Sequence, residues 1–219
     1  MVAILFILTV IVFLTIDYIM KRKAQTQQAA EVTPEPVIKK KPVSIVSSTY
    51  YHPTHSWAKV TDDVVTVGID EFAKKVFGKS NRIDVPKVGS YLQQGQPAWK
   101  LYRDKRKLTQ SAPVEGNVVD VNEKLLKDPS KINEATNGDG WILKIKPFSL
   151  RKNLKNLLHG ETAKRWLENA RAQFVTRYAT EVGPVCQDGG ELIENAGDLL
   201  TDEEWNEVLD EFFMEENNK

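Results

Sequence analysis

Lys105 is the residue in this chain best placed to do chemistry. A β-type run breaks at Asp104-Lys105 and resumes directly, which predicts a hairpin with a lysine at its tip. A primary amine on a tight turn is open to a modifying enzyme and long enough to carry an attached group as a swinging arm. The neighbouring run Arg103-Asp104-Lys105-Arg106-Lys107 also reads as a charged, solvated turn with no modification, and both readings stay open on the residues alone. Other reactive groups are sparse. His52, His55 and His159 are too scattered for a metal site, and no cysteine or carboxylate pattern completes one. His55, just before Trp57, reads as a packed or hydrogen-bonded histidine. Cys186 is the only cysteine, so it has no intrachain disulfide partner, a usage that fits a reducing compartment. The glycines are spread through turns rather than gathered into a phosphate loop. Without a nucleophile–base pair, the chain does not read as an enzyme by itself.

The elements that must position Lys105 lie in residues 50–147, where short β-type runs alternate with Gly and Pro turns. Ser56 to Val60 and Val64 to Ile69 predict two strands joined at Asp62-Asp63. Asp70 is a good N-cap for a short helix, with Phe72, Ala73, Val76 and Phe77 at helical spacing and Gly78 as its stop. Val118 to Val121 and Trp141 to Ile145 predict further strands, with Asn122 capping a helical turn that ends at Asp128-Pro129. Trp57, Trp99, Trp141, Trp166 and Trp205 are read as core or helix-packing residues.

Within this region an ordered series of motifs is similar to the glycine cleavage system H protein family. His55-Ser56-Trp57 stands where that family has a His-Glu-Trp opening. Val67-Gly68-Ile69-Asp70-Glu71-Phe72-Ala73 resembles its strand-to-helix segment, and Val85-Pro86-Lys87-Val88-Gly89 with Gln94-Gly95 resembles its turns. Ala112-Pro113-Val114-Glu115-Gly116, Val119-Asp120-Val121-Asn122 and Gly138-Asp139-Gly140-Trp141 match its second half. The resemblance implies a mainly β lipoyl domain of the barrel-sandwich hybrid type over about 50–147. Counting back from Pro113 without a gap places Lys105 on the family's lipoyl-lysine, which implies lipoate as a cofactor there, while the residues themselves offer no metal site. Two positions depart from the pattern: Tyr102 stands where the family has a glutamate, and Arg106 where it has a small residue.

Residues 1–20 form a predominantly apolar run whose only charge is Asp17, near its end. About 20 helical residues span roughly 30 Å, the hydrocarbon thickness of a bilayer. Lys21-Arg22-Lys23 follows the apolar run rather than preceding it, which predicts a retained transmembrane anchor with the rest of the chain in the cytoplasm. Residues 21–49, with Pro34, Pro36, Pro42 and several lysines, read as a solvated linker. Residues 148–219 read as an α-helical C-terminal extension, with helices over 150–178 and 201–214 and Gly160 closing an internal segment. Thr201 and Glu204 form a capping box. Trp205, Val208, Leu209, Phe212 and Phe213 make an apolar stripe that docks either on its own domain or on another protein.

The 219 residues carry a formal net charge of zero, which does not suggest a nucleic-acid binder. The leading expectation is a membrane-anchored, cytoplasmic, H-protein-like lipoyl carrier or adaptor, not an enzyme, whose partners are the membrane and other protein subunits. The alternative is an unmodified structural or scaffold subunit of a membrane complex. A conventional glycine cleavage carrier comes third, because the anchor, the extension and the altered lysine surroundings count against it.

Overall fold

Alternation of apolar and polar residues builds the strands, and turn residues separate them. The computed structural model describes residues 49–134, 140–182, 186–187 and 191–214. The expected membrane anchor and most of the linker lie outside these residues. Among the described residues no helix is long and apolar enough to cross a membrane.

The elements in chain order begin with strands β1 (Thr49–Tyr51), β2 (Ser56–Thr61) and β3 (Val64–Ile69), followed by helix α1 (Glu71–Phe77). Strands β4 (Arg82–Asp84), β5 (Tyr91–Leu92), β6 (Pro97–Arg103), β7 (Arg106–Ser111) and β8 (Gly116–Val121) come next. Two short helices, α2 (Glu123–Lys127) and α3 (Lys131–Glu134), precede β9 (Trp141–Pro147). The C-terminal part holds α4 (Leu150–Leu154), β10 (Leu158–His159), α5 (Gly160–Val182), β11 (Cys186–Gln187) and β12 (Glu191–Leu192). It closes with a 3-10 turn (Ala196–Leu199), α6 (Asp202–Val208) and a wider π turn (Leu209–Phe213).

The fold is mainly β and sandwich-like, as expected. Seven strands form one antiparallel sheet in the order β10-β1-β2-β3-β9-β8-β5, and β4-β6-β7 form another. β11 and β12 make a small separate hairpin. A single apolar core joins the two larger sheets, with Val67 and Leu143 contributed by the large sheet and Leu101 and Leu108 by the small one. Local chemistry explains the boundaries. The Asp70 carboxylate accepts from the Ala73 amide at 2.9 Å and caps α1, and Gly78 ends it at φ 77°. Asn122 caps α2 in the same manner, through the amides of Lys124 and Leu125.

The C-terminal extension differs from its expected form. It is not exclusively helical, because β10 pairs with β1 and extends the large sheet. Gly160 opens α5 instead of closing a helix. At φ 57° it turns the chain out of the β10 strand, a left-handed conformation that glycine tolerates. The extension also shares the core of the β region: Phe174, Tyr178, Trp205, Val208, Phe212 and Phe213 are all buried in the same cluster. The apolar stripe is thus docked on its own chain.

Candidate functional site

The hairpin β6–β7 presents Lys105. Its strands pair in register from Trp99↔Gln110 to Arg103↔Arg106, leaving Asp104 and Lys105 as the turn. Asp104 adopts φ 51°, the left-handed geometry that Asp accepts more readily than most residues. Lys105 is exposed at this tip. Side chains alternate along β7, so Leu108 and Gln110 point into the core while Lys107, Thr109 and Ser111 face outward.

Arg103 and Arg106 form the last cross-strand pair before the turn, and like charges placed directly opposite repel. Both guanidinium groups are compensated by distant acceptors. Arg103 donates to the Phe77 carbonyl at 3.0 Å and pairs with Asp198. Arg106 donates to the carbonyls of Gly197 and, at 2.7 Å, Leu200, and its guanidinium lies 4.9 Å from the Trp205 ring centroid. Arg103 and Arg106 are therefore not the freely solvated turn charges that the local sequence suggested. Tyr102, the other unusual neighbour, faces β4, where the Arg82 guanidinium sits 3.8 Å from its ring centroid.

The segment that receives the arginines fits closely against α1. Asn195 adopts a left-handed φ of 61°, and its side-chain oxygen accepts from the Lys79 amide at 3.3 Å. A Cβ on Gly197 would stand 2.4 Å from the Val76 carbonyl oxygen, so only glycine lets the backbone approach this near. The π turn and Met214 then run beside the outer face of β7. There Leu209, Phe213 and Met214 face Lys107, Thr109 and Ser111 across a groove of about 320 Å³.

His55 lies elsewhere and serves packing. Its Nδ1–H donates to Asp70 at 2.7 Å, with both side chains buried. Its ring stacks on Trp166 at a centroid distance of 4.5 Å and lies against Phe72 and Phe213. Among the described residues no group of three His, Cys, Asp or Glu side chains is arranged to hold a metal ion. The charge-assisted latch between the hairpin and residues 195–200 is the feature that reading along the sequence missed. Arg106 and Gly197 are 91 residues apart, and only the capping box at Thr201 hinted that an ordered element begins there.

A family model described as glycine cleavage H-protein matches residues 49–170. A probable glycine cleavage system H protein of Pyrococcus abyssi is 38% identical over 121 residues, which is 55% of this chain and 90% of that protein. Glycine cleavage system H protein 2 of Aquifex aeolicus is 40% identical over 108 residues, covering 49% of this chain and 67% of that one. A crystal structure of a glycine cleavage system H protein from Mycobacterium marinum covers 55% of this chain and 98% of its own, at 26% identity and a TM-score of 0.49.

Proposed function

The chain belongs to the glycine cleavage H-protein family, and from that premise we propose that it is a carrier or adaptor subunit bearing a lipoyl group on Lys105. It acts with other protein subunits and is not itself an enzyme. The observation that carries this reading is the geometry of the tip. Lys105 is exposed on a hairpin whose two flanking guanidinium groups are drawn away to acceptors in residues 77 and 197–200. Positive charge at Arg103 and Arg106 is thereby tied down, and the lysine stands as the free end of the turn.

The residues present fit such a group. Lys105 supplies the amine for an amide link, and the paired strands β6 and β7 hold its backbone in place. A lipoyl group supplies a dithiolane that accepts electrons or a substrate fragment. Lys105 Nζ would hold the group through that amide, its ammonium giving up two protons as the leaving group of the activated acyl donor departs.

Residues 1–20 are proposed to tether this domain to the cytoplasmic face of a membrane, on the strength of their apolar length and the basic cluster behind them. Fractionation checks the tether: the protein stays in the pellet through a carbonate wash, whereas release by salt alone excludes a span.

Intact mass of the natively produced protein tests the carrier reading. A lipoyl increment that disappears in Lys105→Arg supports it, and an unmodified mass in cells with active lipoylation rules it out. A specific observation favours a second reading, in which the domain is an unmodified scaffold. The positions that depart from the family, Tyr102 and Arg106, have packing and docking partners of their own. Under that reading Lys105→Arg leaves function intact.

A further inference from the structure

Phe148 and Tyr91 are large aromatic residues left in solvent, at 65% and 54% exposure. Their ring centroids lie 5.9 Å apart, so they form one exposed platform at the β5 edge of the large sheet. Val88, exposed as well, sits in the turn that leads into β5. We propose that this edge, together with the basic helix α4 beside it, is the face on which the domain lies against an anionic lipid bilayer. The inference rests on the tether read in residues 1–20.

The unpaired charge beside the platform is positive. No acidic residue occurs between Trp141 and Gly160. Within that stretch Lys144 and Lys146 pair with Asp120 and Asp63. Arg151, Lys152 and Lys155 are exposed and form no ion pair among the described residues. Buried Asn153 seats α4: its side-chain oxygen accepts from the Glu115 amide at 3.1 Å, and its side-chain nitrogen donates to Gln94 at 3.2 Å. Gln94 closely follows β5, so the same bonds hold α4 beside the platform. Arg151 and Lys155 stand two residues before and after Asn153, which puts both on the opposite, outward side of the helix.

Exposed aromatic rings next to unpaired cations suit an anionic bilayer, with the rings at headgroup level and the cations among lipid phosphates. The connection to the tether favours the same occupant. The chain leading back to residues 1–20 enters the fold at β1, which pairs with β10, and β10 follows α4. Roughly 25 residues separate Lys23 from Thr49, at most roughly 90 Å of extended chain. A domain held that near its bilayer needs only a weak face to dock, because the second contact is intramolecular. Lys105 belongs to the other sheet, in the hairpin β6–β7, so this docking uses none of the residues around it.

The test reconstitutes the full chain into vesicles of phosphatidylcholine alone or of phosphatidylcholine mixed with phosphatidylglycerol. Hydrogen exchange then compares residues 87–92 and 148–157 with α6, which serves as the fold control. Each basic residue near an anionic surface shifts docking roughly fivefold, so both segments should exchange roughly tenfold slower or more in the mixed vesicles. The triple variant Arg151→Gln, Lys152→Gln, Lys155→Gln is expected to abolish the difference between the two lipids. The double variant Tyr91→Ser, Phe148→Ser, confined to exposed side chains, should reduce it in both segments. Exchange in α6 should stay the same in every case.

Equal exchange in neutral and anionic vesicles, with the chain still retained through a carbonate wash, overturns the docking face and leaves the tether standing. Protection that persists in the triple variant also overturns it. So does protection that grows with the number of chains per vesicle whatever the lipid, because copies of the chain then meet at the platform. A chain washed from the vesicles by carbonate removes the tether, and the docking face with it.

Discussion

His55 and Asp70 are joined by a 2.7 Å hydrogen bond between two buried side chains, and the other Asp70 oxygen caps helix α1. One carboxylate thus fixes both the entry into β2 and the start of the helix against which residues 195–197 pack. Asp70→Ala removes the cap and leaves the His55 ring N–H without its acceptor. Cap loss costs about 1 kcal/mol, and an unsatisfied buried donor about 1–3 kcal/mol more. Urea unfolding should show a loss of roughly 2–4 kcal/mol. A loss under half a kcal/mol would mean that the pair contributes no net stability.

Trp99 and Trp141 should separate cleanly. Trp99 is 1% exposed, so Trp99→Ala is expected to cost about 3–5 kcal/mol. Trp141, read from the sequence as a core residue, is only half-buried, with the Lys144 ammonium 4.4 Å from its ring centroid. Its substitution by alanine should cost clearly less. Lys105→Arg, an exposed and charge-preserving change, should move stability by less than about 0.5 kcal/mol. Thermal melts of the three variants give the order; a Lys105→Arg melt as low as that of Trp99→Ala would contradict the exposed hairpin tip.

Gln110 is fully buried on the core face of β7, and neither its amide nitrogen nor its carbonyl oxygen has a hydrogen-bond partner among the described residues. A buried amide without partners is destabilising. Gln110→Met, close to it in shape, should therefore stabilise the domain by about 1–2 kcal/mol. Denaturant midpoints measure this directly, and a destabilised variant would show that the amide is satisfied in solution.

Glu204 should confer pH dependence on the C-terminal helix. Its carboxylate accepts from the Thr201 amide at 2.7 Å, and the Thr201 hydroxyl accepts in return from the Glu204 amide. The backbone bond from Thr201 first, and the Thr201 side chain second, hold its pKa below the usual carboxylate value. A depressed folded-state pKa contributes stability above the unfolded value, lost as pH falls through the folded one. Glu204→Ala should thus loosen residues 201–208 at neutral pH, and its difference from the parent chain should vanish below the ordinary carboxylate range. Hydrogen exchange across a pH series reads the effect; a difference that persists in acid would assign it to helix propensity instead.

Local interactions were legible along the chain because they act over a few residues. Asp70 capping α1, Gly78 ending it, Asn122 capping α2 and the Thr201–Glu204 capping box each join groups within one helical turn, so residue type and spacing suffice. The strands over 56–61 and 64–69 followed from β-branched runs around a short turn. The exposed tip at Lys105 followed likewise, from a two-residue break between two runs. Only the tertiary structure decided what surrounds that tip. Arg103 and Arg106 look like solvated turn charges until the chain returns some 90 residues later with carbonyls and Asp198 to receive them. Gly160 was misread because a glycine's left-handed φ serves a helix end and a strand-to-helix turn equally, and only the pairing of β10 with β1 distinguishes them. The apolar stripe of the last helix was equally ambiguous, since amphipathicity requires a covered face without naming its cover. Here the cover is the chain's own core, with Phe213 against His55 and Trp205 against Phe77.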